Sequence, residues 1–137
     1  MTTQQLTLVQ RDIEVLKKYL HESRLTDFNR ERLLSEISTA QVVDEDELPE
    51  DVIGLNSVVH VKERQSNQSF IFQIVSAGAA NVKKNKIGIS APIAIALLGY
   101  RTGSILNWEM PTGVQEYEVL QVSRVGVETP VSSAFVV

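Results

Sequence analysis

The side chains that could carry out chemistry are few and widely separated. The chain has two histidines, His21 and His60, and no cysteine, so disulfides and thiolate metal sites are excluded. Each histidine stands alone, and a surface position is the more common role for such a residue. The sequence also lacks H-E-x-x-H, a phosphate-cradling glycine loop and G-x-S-x-G. We therefore expect a binding protein rather than an enzyme, with no catalytic residue, metal or cofactor.

Carboxylates form two further patterns. Asp27 and Glu31 are four residues apart and could share a helix face, although one such pair is usually a solvated surface feature. Six carboxylates surround Pro49 in "DEDELPED", residues 44–51. Such a block is solvated, and its proline ends any helix that enters it. We interpret the block as an acidic linker between two parts of the chain; a contact surface for a basic partner is the alternative.

Composition and charge narrow the class of protein. A chain of 137 residues with 43% hydrophobic residues can form one ordinary domain, or a small domain with an appendage. The net charge is −4, and the acidic excess sits in the linker, because the segments on either side are not acidic. Only "VKKNK", residues 82–86, is locally basic, which does not favour nucleic acid as the main partner.

The amino terminus and the longest apolar run indicate where in the cell the protein is located. The start, "MTTQQLTLVQRD", has no basic leader followed by a long apolar core, so no secretory signal is predicted. The uninterrupted apolar run from Ala91 to Gly99 is nine residues long, whereas a membrane-spanning helix needs about 20. We therefore expect no membrane association and a cytoplasmic location.

Apolar residues near the amino terminus follow a helical rhythm. They recur at spacings of three and four: Leu6, Val9, Ile13, Leu16 and Leu20. This pattern predicts a first helix with a narrow apolar strip. Periodicity does not exclude a short strand over "LTLVQ" before that helix.

A second helix is predicted after the break "SRLTDF". Thr26 or Asp27 could cap it by accepting a hydrogen bond from its first free amides. One face is marked by apolar residues: Leu33, Ile37 and Ala40, with Leu34 beside them. Two helices joined by a short turn run antiparallel, so residues 1–48 are predicted to form a helical hairpin, a short coiled coil.

Residues 49–137 have the pattern of strands. "SVVHVKER" and "SFIFQIVS" predict a hairpin around "QSNQ", "NKIGIS" a short strand, and "SILNWEM" with "GVQEYEVLQV" a second hairpin around "PTG". Strict alternation assigns one side of the last strand to Val114, Glu116, Glu118 and Leu120, and the other to Gln115, Tyr117, Val119 and Gln121.

One short helix is predicted between the two hairpins. Ser90 could cap it, Pro92 fits its first turn, and Gly99 is a natural stop. Four apolar residues would cover the sheet: Ile93, Ala94, Leu97 and Leu98. The fold class is therefore α+β.

The segment "ISAPIAIALLGYRTGSILNWEMPTGVQEYEVLQV" resembles the carboxy-terminal domain of the bacterial Gre transcript-cleavage factors. Their pattern is approximately S-x-x-S-P-I-A-R-A-L-I-G-K-x-x-G-D, a strand, and P-x-G-x-x-x-Y-x-V-x-x-V. The matching residues are Pro92, Ile93, Ala94, Ala96, Leu97, Gly99, Gly103, Pro111, Gly113, Tyr117, Val119 and Val122, and Ser90 stands one position before the second Ser of the pattern. The likeness covers roughly residues 50–123 and implies an FKBP-like fold, an antiparallel sheet crossed by one short helix. The tail "SRVGVETPVSSAFVV" lies outside the likeness; it could be disordered or pair with an edge strand of a neighbour.

The amino-terminal part departs from the Gre pattern. Gre factors carry a long coiled coil whose tip presents an Asp and a Glu, in D-x-x-E, to help hold a catalytic Mg²⁺. Here the first helix has at most about 20 residues, or about 30 Å. The tip "HESRLTDFNRE" has no D-x-x-E, because Arg30 follows three residues after Asp27. This shortened form, with the connection "SEISTAQVVDEDELPEDVIGLNS", resembles the Rnk group, regulators of nucleoside diphosphate kinase, described as binding RNA polymerase without promoting cleavage.

The resemblance implies a protein that binds RNA polymerase near its secondary channel and modulates transcription, contacting DNA or RNA only through polymerase. In Gre factors the start of the short helix contacts polymerase, which places the contact here at Ser90, Ala91 and Pro92. Ile95 stands where the Gre pattern has Arg, so the resemblance implies no ionic contact from this position. A purely structural role for Ser90 and Pro92, as cap and first-turn proline, is the alternative.

Two other functions stay open. In a true cleavage factor, a tip carboxylate such as Glu22 or Asp27 would approach the Mg²⁺. A peptidyl-prolyl isomerase would need an aromatic-lined proline pocket, and the chain has only eight aromatic residues. Its sole indole, Trp108, is expected in the core or on the sheet surface.

Overall fold

The amino-terminal part contains two short strands and two helices. The computed structural model describes residues 5–124. Its first elements are β1 (Thr7–Val9), α1 (Gln10–Glu22), α2 (Asp27–Thr39) and β2 (Gln41–Val43). The two-helix arrangement is therefore confirmed, and the alternative of a strand before the first helix is the correct one. Leu6 and Val9 are buried as predicted, but they precede α1, so the helical strip begins only at Ile13.

Strand β1 has a reason to form where periodicity predicted helix. All three of its residues are buried, and two of them, Thr7 and Val9, are β-branched, which favours extended backbone. β1 pairs in parallel with β2, with Leu8 opposite Val42. The small sheet thereby closes the base of the helical hairpin.

Helix α2 begins with the predicted cap. The Thr26 hydroxyl accepts a hydrogen bond from the Asn29 amide at 3.2 Å. Leu33 is fully buried and Ile37 packs against the core, whereas Leu34 is 53% exposed. The predicted apolar face is thus narrow, and the buried positions of α2 also include the polar residues Asn29 and Glu36.

The rest of the described chain forms a five-stranded sheet with one short helix. Its elements are β3 (Ser57–Glu63), β4 (Gln68–Val75), β5 (Lys86–Gly88), α3 (Pro92–Leu97), β6 (Ile105–Met110) and β7 (Gly113–Arg124). The strand order is β5-β4-β3-β7-β6. Both predicted hairpins are present, and the α+β class is confirmed. The sheet is mixed rather than fully antiparallel, because β5 runs parallel to β4.

A β-bulge changes which side chains of β7 point inward. His60 pairs with Gln121 and Val61 with Val119, so Leu120 is the extra residue on the bulged strand. Val119 and Val122 are buried, whereas Gln121 is exposed. The predicted alternation, which placed Gln121 beside Val119, is therefore wrong beyond the bulge.

Helix α3 differs from the prediction at its start. The residue that precedes it is Ala91, and no side chain caps it, so the predicted capping role of Ser90 is wrong. Pro92 occupies the first turn as predicted, and Gly99 has a φ of +89° just past the end. Residues 94–98 are all buried. Because Ile95 is only 1% exposed, an apolar residue suits this position.

One core unites the hairpin with the sheet. Leu8, Leu16 and Leu33 belong to the same buried cluster as residues of the sheet and of α3. The division of the chain between residues 48 and 49 stays a prediction.

Within residues 5–124, no helix is long and apolar enough to span a bilayer. The alternatives for the carboxy-terminal tail, from residue 125, lie outside the described residues.

The acidic block is exposed but ordered. Glu45–Glu47 forms a 3₁₀ turn, and Asp44 and Glu47 form a capping box at its start. Arg124 holds the following backbone by donating to the carbonyls of Leu48, Pro49 and Val52 at 2.6–3.1 Å. The predicted linker is thus a fixed connection whose carboxylates face solvent.

Candidate interaction surface

The structure brings two predicted site residues to one groove, called here the α1–α3 groove. Glu22, at the end of α1, and Ser90, before α3, both line a cavity of about 430 Å³. The other lining residues are Val15, Lys18, Tyr19, Ser23, Ala77 and Ile89. The end of the hairpin and the loop before α3 therefore form one continuous surface.

The other predicted residues lie outside this lining. Pro92 is exposed, whereas Ala91 is half-buried and its amide donates to the Gly88 carbonyl at 2.9 Å. Asp27 is exposed at the start of α2, across the turn from Glu22. Ala91 thus has a structural role. Ser90 has no capping role, and its exposed side chain is free to contact a partner.

The chemistry of the α1–α3 groove suits a protein ligand. Val15, Tyr19 and Ile89 supply an apolar surface, and Lys18 and Glu22 supply opposite charges one helical turn apart. A combination of apolar area with a polar rim is typical of protein–protein interfaces.

A buried polar cluster fastens α2 to the rest of the molecule. The Arg32 Nε donates to the Glu36 Oε2 at 2.7 Å, and the Tyr100 hydroxyl donates to the same oxygen. The Arg32 Nη2 donates to the Ala96 carbonyl at 2.8 Å and to the Tyr100 hydroxyl at 3.0 Å. Glu36 is 2% exposed, so the negative charge of its carboxylate is balanced inside the protein by the Arg32 guanidinium. Burial, the largest cause, raises the pKa of Tyr100 and keeps its phenol protonated.

Two aromatic rings complete the surroundings of the Arg32 guanidinium. Its central carbon lies 5.3 Å from the ring centre of Tyr100 and 5.1 Å from that of Trp108, within the range of cation–π attraction. The Nη1 donates to the Asn107 carbonyl. Trp108 is 2% exposed, so of the two placements expected for it, the core and the sheet surface, the structure shows the core.

Asn29 extends this attachment to the first turn of α2. Its Nδ2 donates to the Glu109 carbonyl at 2.9 Å, and its Oδ1 accepts from the Glu109 amide at 2.8 Å. Asn29 and Arg32 therefore satisfy backbone groups along the outer edge of β6, an edge that would otherwise be open to pairing. Because α2 is attached from its first turn, the hairpin lies against the sheet.

Sequence reasoning missed this polar cluster. The sequence patterns assign no role to Asn29, Arg32 or Glu36. Their spacing of three and four residues, on the face that carries Leu33, was the available signal.

Asp12 is a second buried polar residue of the hairpin. It is fully buried; its Oδ1 lies 3.5 Å from the Arg11 Nε, and its Oδ2 has no hydrogen-bond partner among the described residues. Burial raises the pKa of the Asp12 carboxyl, and the charge of Arg11 opposes that shift. Arg11 also pairs with Glu45 at 2.6 Å, which links α1 to the acidic block.

Comparison with known proteins identifies the family. The family model described as "Transcription elongation factor, GreA/GreB, C-term" matches residues 48–124. The chain belongs to this family. The resemblance to Gre factors is therefore confirmed, whereas the comparisons leave the Rnk group as a prediction.

Individual relatives agree with this assignment. GreA of Clostridium botulinum strain Hall is 35% identical over 88 residues, which are 64% of this chain and 55% of that protein. GreA of Clostridium kluyveri is 33% identical over 88 residues, with the same coverage. The chain spans about half the length of these curated relatives.

One solved structure matches nearly throughout. It is described as a prokaryotic transcription elongation factor GreA/GreB from Nitrosomonas europaea, and it is 29% identical with a TM-score of 0.61. The match covers 88% of this chain and 98% of that one. The similarity thus includes the hairpin as well as the family domain.

Proposed function

We propose that this protein binds RNA polymerase near the secondary-channel entrance and modulates transcription without stimulating transcript cleavage, as in the Rnk group. Support for the partner comes from membership of the GreA/GreB family and from relatives named transcription elongation factors. Contact with DNA or RNA would be indirect, through polymerase. The prediction of a cytoplasmic location rests on this partner.

The attachment of α2 carries the proposal of a non-cleaving factor. Helices α1 and α2 have 13 residues each, which corresponds to about 20 Å at 1.5 Å per residue. Asn29 is already bound to β6 in the first turn of α2. Only the short connection, residues 23–26, lies beyond the helices, so Glu22 and Asp27 stay close to the sheet. A cleavage factor must instead extend its tip carboxylates to a distant Mg²⁺.

The α1–α3 groove is the proposed docking surface. Ser90 and Pro92 are exposed, and Ser90 shares the groove with Glu22, so one partner surface could contact both the hairpin and the start of α3. Ile95 is buried, so any ionic contact must come from residues such as Lys18 rather than from this position.

Binding to core polymerase tests the partner and the surface. Wild-type protein should bind, and the double variant Ser90→Glu/Pro92→Glu should bind at least about tenfold more weakly, equivalent to about 1.4 kcal/mol. The matched control, Thr102→Glu/Pro111→Glu, changes an exposed hydroxyl residue and an exposed proline elsewhere. Equal affinities of the two variants would overturn the docking surface, and absence of wild-type binding would overturn the partner.

Backtracked elongation complexes test the absence of cleavage. Addition of the protein should leave the rate of RNA shortening unchanged, while a GreA factor added in parallel accelerates it. The protein should also slow the reaction of that factor if both occupy the same region of polymerase. Faster shortening with this protein alone would show that it is a true cleavage factor.

A further inference from the structure

A second groove, called here the hairpin groove, lies between the two helices. It has a volume of about 720 Å³ and is lined only by residues of α1 and α2. Three apolar residues contribute to it: Leu20, Leu34 and Ile37. Leu34, on α2, is 53% exposed, although the apolar residues of a surface helix usually pack against a neighbouring element. The hairpin thus has an apolar strip that nothing in residues 5–124 covers.

Unpaired cations flank this strip. The lining includes Lys17, Lys18 and Arg30, and within residues 5–124 none of the three forms an ion pair. The groove also contains Glu14 and Glu22, so its three cations exceed its two carboxylates by one positive charge. The hairpin groove therefore combines an apolar floor with available positive charge.

We propose that the hairpin groove binds an amphipathic α-helix with an apolar stripe and acidic flanks. The space between two antiparallel helices fits a third helix, whose apolar residues would pack on Leu34 and Ile37. Carboxylates on its flanks would face Lys17 and Arg30, and such complementarity speeds and orients docking. A helix of about 13 residues would match the length of α1.

Nucleic acid fits the hairpin groove less well. Single strands bind to proteins largely by stacking bases on aromatic rings, and the lining of this groove contains no Phe, Tyr or Trp, only the imidazole of His21. The apolar floor would also have no partner in a phosphate backbone. A protein helix uses both the floor and the cations.

The source of the helix is taken to be RNA polymerase, so the inference rests on the proposed function. Lys18 and Glu22 line both the hairpin groove and the α1–α3 groove. A polymerase surface docked on the one is therefore next to the other. The two grooves would form a single interface on either side of the last turns of α1.

Charge-reversal variants test the hairpin groove on core polymerase. Lys17→Glu/Arg30→Glu should weaken binding at least about fivefold, and the loss should shrink at high salt. Leu34→Asp should weaken it similarly but at all salt concentrations. The controls make the same changes at exposed residues of the sheet side: Lys83→Glu/Lys84→Glu and Val82→Asp. Binding should stay within about twofold for both controls.

Photo-crosslinking from position 34 identifies the occupant. Benzoylphenylalanine in place of Leu34 should crosslink to a polymerase segment that is helical and rich in Asp and Glu. If polymerase binds wild type but tolerates the groove variants, or crosslinks from position 34 only to nucleic acid, this inference is wrong while the proposed function stands. If wild type does not bind polymerase at all, the proposed function fails and this inference fails with it.

Discussion

A buried ion pair such as Arg32 with Glu36 stabilises a fold only when its remaining donors and acceptors also have partners. Here the guanidinium reaches two backbone carbonyls and two aromatic rings, and the carboxylate accepts from both Arg32 and Tyr100. The pair therefore fixes the position of α2 on the sheet, which hydrophobic contacts alone would leave less specific.

Removal of the carboxylate should be strongly destabilising. Glu36→Ala leaves the Arg32 guanidinium buried without its counter-charge, so the free energy of unfolding should fall by about 3 kcal/mol. Urea denaturation followed by circular dichroism measures this. Glu31→Ala, an exposed position of the same helix, is the control and should change stability by less than about 0.5 kcal/mol. Equal losses for both variants would mean that the cluster does not fix α2.

Asp12 should make stability depend on pH. Its folded-state pKa is raised above the unfolded value of about 3.9, because burial disfavours the charged carboxylate. The folded state therefore binds the proton more tightly, and this contribution to stability is present below the unfolded pKa and is lost as pH rises through the folded pKa. At neutral pH the buried carboxylate is thus a net liability.

The neutral variant Asp12→Asn removes that liability. At pH 7 its free energy of unfolding should exceed that of wild type, because a neutral amide avoids the cost of burying a charged carboxylate. The difference should shrink as the pH falls and the wild-type carboxyl becomes protonated. Urea denaturation at several pH values measures it, with Asp27→Asn as the exposed control. A difference that does not vary with pH would contradict the assignment.

At the scale of elements, the sequence predicted those features of helices and strands that depend on residues close together in the chain. The Thr26 cap, the first-turn Pro92 and both hairpins follow from single residues whose preferences act locally. The start of α1 could not be fixed this way, because Leu6 and Val9 fit both the helical rhythm and a buried strand. The pairing of β1 with β2 decides it, and that pairing joins residues 34 positions apart in the sequence.

The predicted site shows the same limit. Family resemblance placed Ser90 and Pro92 at the start of α3, and both are exposed there as a contact requires. The α1–α3 groove could not be predicted, because it depends on how the end of α1 is placed against the loop before α3. The hydrogen bonds of Asn29 with Glu109 could not be predicted either. The two residues are 80 positions apart, and no motif in α2 indicates which strand Asn29 binds.

Gly99, just past the end of α3, lies against Leu6 and Leu8. Its substitution should therefore cause both backbone strain and overpacking. A Cβ at this position would lie 2.9 Å from the Leu8 Cδ2 and 3.0 Å from the Leu6 Cβ, and the φ of +89° disfavours any side chain. Gly99→Ala should therefore lower the free energy of unfolding by about 3 kcal/mol, combining backbone strain with overpacking. Thermal or urea denaturation measures the loss.

Gly103→Ala separates the two effects of that substitution. Gly103 has a φ of +91°, but nothing lies within 4 Å of an added Cβ, so only the backbone strain of about 1 kcal/mol should appear. The difference between the two variants then reports the packing of α3 on β1. Equal losses of unfolding free energy for the two variants would show that β1 moves to accommodate the added methyl group without destabilising the protein.

For the whole molecule, the shared core predicts that hairpin and sheet unfold together. Leu16 of α1 and Val59 of β3 belong to the same buried cluster, and α2 closes the outer edge of β6, so neither part can keep its core without the other. Native-state hydrogen exchange in increasing denaturant should therefore give the amides of Leu16 and Val59 the same free energy of opening. Exchange at Leu16 with a clearly lower free energy would instead support an independent hairpin domain over residues 1–48. It would also remove the physical reason, an attached α2, for keeping Glu22 and Asp27 away from a distant metal ion.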